Sequence, residues 1–204
     1  LFRSSKSVHQ VMHAQHLAGH RAFSTNLLKA FQSWGPCIDG IEVEHQSLVS
    51  FTRQGTINKP FILGTTKDEV RPFVFGQIFR MGISHLSAAL YKYAIKDLFG
   101  RKASRILEQY PTAGKDQRSL FSRLGTDFMF ICPSRLAARQ AVAGGSRDVW
   151  LYTFDQGIRI PPKLAKLFKH FRKHYGNVSE SCGNYSCHGS ELLFVFQSSD
   201  KLGF

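Results

Sequence analysis

The sequence has no apolar run approaching the roughly 20 residues of a membrane-spanning helix, so no such helix organises it. Acid is scarce: 14 Asp and Glu stand against 27 Lys and Arg, for a net charge of +13. That excess predicts attraction to an anionic partner (nucleic acid, acidic membrane or acidic protein) without choosing among them. Zinc-finger spacing and an aromatic ribonucleoprotein signature are both missing, so a dedicated nucleic-acid fold is not indicated. The opening Leu1-Phe2-Arg3-Ser4-Ser5-Lys6 carries no apolar core of a secretory leader. No repeat, low-complexity tract or clear linker interrupts the chain. Four cysteines permit at most two disulfides.

What is present reads as globular. Hydrophobic residues make up 43% and charged residues 20% of 204 residues, enough for one good core or a share of a larger one. Two short segments have strand character. Phe61-Ile62-Leu63 is an uninterrupted apolar run, as expected of a strand buried on both faces in a parallel sheet. Val149-Trp150-Leu151-Tyr152-Thr153-Phe154 is β-branched and aromatic-rich. Helical patterning is expected from Ser7, a candidate N-cap, to about His16, and at 23–31. It recurs in a short segment ending at Gly55, from His85 towards Gly100, at 103–110 and at 116–124. A long helix is expected over Thr126 to Val142, kinked or broken at Pro133 and closed by Gly144-Gly145. Asp39-Gly40 predicts a turn. Strands and helices thus alternate along the chain, as in an α/β fold.

Several residues carry chemistry. His188 follows small residues and precedes Gly189, in Ser186-Cys187-His188-Gly189-Ser190-Glu191-Leu192-Leu193-Phe194-Val195-Phe196. An imidazole held there serves either as a general base near neutral pH or as a structural loop-end histidine. The apolar run behind it is expected to anchor the turn in a core. Asp68 and Glu69 close the polar loop after Phe61-Ile62-Leu63, where ligand sites of α/β folds collect. They serve either to orient a histidine or to start a helix. Cys182 and Cys187 are close enough for a local disulfide; Cys37 and Cys132 are expected as buried thiols. Asn177-Val178-Ser179 and Asn184-Tyr185-Ser186 match the N-glycosylation acceptor pattern. Between Lys163 and Tyr175, Lys163, Lys166, Lys169, Arg172 and Lys173 interleave with apolar residues at helical spacing. This is either a surface for an anionic partner or a solvated helix face.

Five stretches together resemble the type-B carboxylesterase/cholinesterase family of α/β-hydrolases. They are Trp34-Gly35-Pro36-Cys37-Ile38-Asp39-Gly40, Phe61 to Glu69, Asp127-Phe128-Met129-Phe130-Ile131-Cys132-Pro133-Ser134-Arg135, Val149 to Asp155, and Cys187 to Phe196. The resemblance implies one partial α/β-hydrolase domain over 1–204, built from the C-terminal strands of a mostly parallel sheet with flanking helices, and carrying a basic insertion at about 157–181. It also implies that Glu69 and His188 are the acid and base of a Ser-Glu-His triad hydrolysing esters through an acyl-enzyme. No cofactor and no metal are implied. The family is secretory, whereas the basicity suggests a mitochondrial or other organellar assembly.

The departures from the pattern are specific. The family's nucleophile stands in a Gly-x-Ser-x-Gly elbow, and that motif occurs nowhere in the sequence; Gly144-Gly145-Ser146 lacks the second glycine. The glycine-rich oxyanion segment is missing too. Val70 replaces a glycine common after the acid, and strain is expected there if φ is positive. Two readings follow. Either the chain is the C-terminal portion of a serine esterase, inactive alone and completed by the missing N-terminal half. Or it is a non-catalytic relic of the fold, a structural subunit in which other chains cover an exposed sheet edge.

Overall fold

The computed structural model describes residues 5–21, 36–53, 59–157 and 181–197. The segments expected as helices at 23–31 and 163–175, with Lys163, Lys166, Lys169, Arg172 and Lys173, lie outside the described residues. The chain divides into two compact units, Leu1–Glu44 with Lys92–Gln109, and His45–Tyr91 with Tyr110–Phe204.

The first unit contains α1 (Val8–Arg21). Its start is a reciprocal cap: the Ser7 hydroxyl accepts from Gln10 N–H and the Gln10 side chain accepts from Ser7 N–H. Asp39 and Gly40 make the expected turn. Oδ1 of Asp39 accepts three successive N–H groups, of Ile41, Glu42 and Val43, each at 2.9 Å, while Gly40 takes φ +75°.

The second unit is built on two parallel strands, β1 (Phe61–Thr66) and β2 (Val149–Phe154), paired in register from Phe61 opposite Val149 to Thr66 opposite Phe154. Gly64 faces Tyr152, whose ring lies over the glycine where a Cβ would otherwise stand. Neither strand is buried on both faces: Ile62 is 65% exposed and Trp150 52%, and no third strand joins the pair among the described residues. The apolar run is that of a buried strand, but the layers that would bury it are not among the described residues.

Helices supply the remaining described elements, with the segment Lys92–Gln109 belonging to the first unit and the others to the second. In chain order they are α2 (Ser47–Thr52), α3 (Arg71–Arg80), α4 (Ala88–Phe99) running through a 3₁₀ turn at Gly100–Lys102 into α5 (Ala103–Gln109), α6 (Arg118–Thr126), α7 (Cys132–Ala143) and α8 (Leu192–Val195). α2 packs on α7, and α7 on both strands; a Cβ on Gly144 would collide with the Phe51 carbonyl, so only glycine fits there. α3 packs on α6. Val70, Val74, Phe75, Ile78, Leu86, Tyr91, Phe121 and Leu124 are buried. Tyr91 and Phe121 meet edge to face, and the Tyr91 hydroxyl donates to the Tyr110 carbonyl. Asp116 stands just before α6 and ties its start to Leu86: its Oδ1 accepts N–H groups from Leu86 and Arg118, and its Oδ2 pairs with Arg118.

The expected break at Pro133 takes a particular form. α6 passes into one π turn, Asp127–Ile131, before α7 begins with Pro133 in its first turn. Proline has no N–H to give the preceding turn and its ring crowds the carbonyl four residues back, so the turn widens rather than ends.

Two further expectations are corrected, and the condition attached to Val70 is not met. The apolar run after His188 forms the short α8 and is not anchored in a core: Leu192, Phe194, Val195 and Phe196 are all exposed. Phe194 nevertheless contacts Phe154, with ring centroids 5.2 Å apart. Four residues of helix are too few to turn every apolar side chain inward. Cys37 and Cys132 are exposed rather than buried, because neither lies on an inward face of its segment. Val70 is not strained: its φ is not among the positive ones. Instead it is buried against Gly125 of α6, where a Cβ would come within 2.8 Å of Val70 Cγ1.

Candidate active site

The site stands at the carboxyl end of β1. Beyond Thr66 the ladder continues, with Lys67 N–H donating to the Phe154 carbonyl at 3.0 Å. Asp68 then forms an isolated parallel bridge with Cys187, and its N–H donates to the Ser186 carbonyl at 3.0 Å. Asp68 opposite Cys187 in parallel register puts the next residues, Glu69 and His188, side by side. This bridge brings together two residues far apart in the sequence.

Nδ1 of His188 lies 2.5 Å from Oε2 of Glu69. The other carboxylate oxygen accepts the Thr66 N–H at 2.7 Å, so the carboxylate is held at both ends. Glu69 is almost wholly buried, while the His188 side chain is 50% exposed. Burial pushes the Glu69 carboxyl up, but the hydrogen bonds from His188 and from Thr66 outweigh it and hold it below its ordinary value. The hydrogen bond to Glu69 pushes the His188 imidazole up; burial opposes this, and the charges of Glu69 and Glu191 add to it. A carboxylate on Nδ1 fixes the tautomer, leaving Nε2 as the basic nitrogen. Nε2 has no hydrogen-bond partner among the described residues.

Two rings hold the imidazole. Phe73, in the first turn of α3, and Phe130, in the π turn, stand 5.6 and 5.4 Å from it, both tilted. The widened turn caused by Pro133 thus carries a side chain to His188, as π turns at functional sites commonly do.

The loop bearing His188 is fixed from behind. Cys182 and Cys187 are joined in a disulfide with Cα atoms 5.7 Å apart. Arg71 is buried under the loop: Nε donates to the Ser181 carbonyl at 2.5 Å and Nη1 to the Ser119 hydroxyl at 2.9 Å. Its guanidinium lies 3.5 Å from the Tyr185 ring and 4.4 Å from that of Phe75. The hydroxyls of Thr66, Ser186 and Ser190 and Oε2 of Glu191 are buried near this loop with no partner among the described residues.

Sequence reasoning did not single out Phe73, Arg71 or the bridging role of Asp68. Only Phe130 had a signal, its place just before a proline inside a helical pattern. Among the described residues no three His, Cys, Asp or Glu side chains gather to hold a metal, and no helix is long and apolar enough to cross a membrane.

A model of the carboxylesterase family matches residues 3–200. The chain is similar to the "Crystal protein" of Dictyostelium discoideum, at 29% identity over 197 residues, covering 95% of this chain and 32% of that protein. It is likewise similar to the "cAMP-regulated D2 protein" of the same organism, at 29% identity over 206 residues, covering 97% of this chain and 34% of that protein. The chain thus spans about a third of the length of these curated relatives.

Proposed function

The chain belongs to the carboxylesterase family, and from that premise we propose that it supplies the acid and base of a Ser-Glu-His ester-hydrolysing triad. In this reading its two parallel strands and their helices are the C-terminal part of an α/β-hydrolase sheet, and the exposed faces of β1 and β2 are covered by further polypeptide. His188 takes the proton of a serine hydroxyl as the oxygen attacks the ester carbonyl, and Glu69 stabilises the resulting imidazolium. His188 returns the proton to the leaving alcohol. Water then releases the acyl group by the same route. The observation that supports this is the Glu69–His188 hydrogen bond, with one imidazole nitrogen committed to the carboxylate.

The serine belongs to none of the chain's own segments, since no Gly-x-Ser-x-Gly elbow is present. The native protein, with every polypeptide attached to it, is to be treated with an organophosphonate. One serine outside these 204 residues should be labelled, and His188→Ala should abolish labelling. No labelled serine in any such preparation would sink the triad.

A second reading is favoured by the missing elbow and by the name of one relative, "Crystal protein". Here the chain is a non-catalytic structural subunit assembled through its basic segment. His188→Ala would then leave assembly unchanged, while charge reversal at Lys163, Lys166, Lys169, Arg172 and Lys173 would weaken it.

A further inference from the structure

We propose that Asn184 is an N-glycosylation site, and that it is modified before the loop around it closes. The acceptor pattern Asn184-Tyr185-Ser186 sits wholly inside the loop closed by Cys182 and Cys187. A disulfide persists in oxidising compartments, where glycosyl transfer to asparagine also takes place. Asn184 is exposed and its side chain makes no hydrogen bond among the described residues. Its backbone is in the left-handed region, φ 66°, a conformation asparagine tolerates better than most residues. The main chain is seated against β2's end, since a Cβ on Gly157 would meet the Asn184 carbonyl at 2.5 Å. The side chain is therefore exposed while its main chain rests on a fixed support.

Ser186 gives the independent indication. It is 1% exposed and its hydroxyl has no partner among the described residues. A buried, unpaired hydroxyl is destabilising, and alanine would fill the same space without that cost. The hydroxyl makes no hydrogen bond among the described residues. It has a use in the acceptor pattern, which requires Ser or Thr at that position.

In the transfer, the Asn184 side-chain nitrogen forms a bond to the anomeric carbon of a polyprenyl-pyrophosphate-linked oligosaccharide. The bond from that carbon to the pyrophosphate oxygen breaks, the pyrophosphate leaves with the electron pair, and the amide proton passes to a base of the transferase. The folded loop cannot present its pattern for this step. Ser186 is held by Asp68 through both its N–H and its carbonyl, and Tyr185 is stacked on Arg71. Transfer must come first, and closure of the disulfide then buries the serine.

The native protein is to be digested and deglycosylated with peptide-N-glycosidase in heavy-oxygen water. Heavy oxygen should enter at position 184; an unlabelled Asn184 in protein whose Cys182–Cys187 bond is intact would overturn the proposal. In a secretory host, in an Asn177→Gln background leaving one acceptor, Ser186→Thr should keep the glycan and Ser186→Ala lose it. Occupancy should rise when Cys182 and Cys187 are both changed to serine, and equal or lower occupancy would overturn the order of events. None of these readouts depends on esterase activity.

Discussion

Glu69 and His188 are 119 residues apart in the sequence and 2.5 Å apart in the fold, one nearly buried and the other half exposed. The buried partner is the carboxylate, so the exposed imidazole is the member of the pair that meets whatever enters the site.

Their titrations set a pH window. Glu69 is held below its ordinary value of 4.5, so its contribution to stability is present above 4.5 and is lost as pH falls through the lowered folded value. His188 is raised above its ordinary value of 6.5, so its contribution is complete below 6.5 and is lost as pH rises through the raised folded value. The pair therefore stabilises most between 4.5 and 6.5. Glu69→Gln should lower the His188 titration midpoint seen by NMR and flatten both flanks of the stability profile from urea unfolding. If the midpoint stays put, the pairing is wrong.

The same substitution tests the chemistry. In the organophosphonate-reactive assembly, Glu69→Gln should slow labelling by roughly 10³-fold or more, since an amide cannot stabilise the imidazolium. Labelling at the unaltered rate would remove Glu69 from the mechanism.

Arg71 should behave as a positioning residue. Arg71→Met keeps bulk but leaves the Ser181 carbonyl and the Ser119 hydroxyl without their donor, which should cost on the order of 3 kcal/mol in urea unfolding. Arg71→Lys should recover little of it, because one ammonium cannot replace a planar fork reaching two acceptors and stacking on two rings. The His188 midpoint should move as well, which a loss confined to the α3–α6 core would not cause.

Val70 and Gly125 should be coupled. Gly125→Ala gains about 1 kcal/mol of helix propensity but forces a methyl against Val70, at about 1–3 kcal/mol. The single variant should be destabilised, and the same change in a Val70→Ala background should be neutral or stabilising. Additive effects in that double-mutant cycle would contradict the contact.

Opening the Cys182–Cys187 bond should cost about 2 kcal/mol, the small value expected of a short loop. Calorimetry of the oxidised and reduced protein measures it.

Some of this was legible in the chain. Both strands were visible from composition, because β-branched and aromatic residues cluster at 149–154 and an unbroken apolar run stands at 61–63. Helices with strong punctuation were visible too, Pro133 and Gly144-Gly145 above all. Glu69 and His188 were each visible as candidates from their own surroundings, a polar loop after an apolar run and a small-residue turn, but only the resemblance spanning five separate stretches paired them; nothing local to either residue links them, since the link is a parallel bridge between Asp68 and Cys187. Arg71 had no signal, because a buried arginine is recognised only by the carbonyl, hydroxyl and rings that surround it. The apolar run after His188 misled for a related reason. Hydrophobicity states what a segment gains by burial, and Leu192, Phe194, Val195 and Phe196 stay exposed all the same.

Parallel pairing also fixes when the rim of β1 can come into being. Lys67 and Asp155, at the ends of the paired strands, are 88 residues apart and are bridged across the ladder. Such distant closure is slow compared with local helix formation. On the ribosome, α3 and α6 are complete well before β2 emerges, and the Asp68–Cys187 bridge must wait until Cys187 itself has been made. A nick anywhere between the strands would spare the early helices and weaken the one ladder that carries Glu69 to His188.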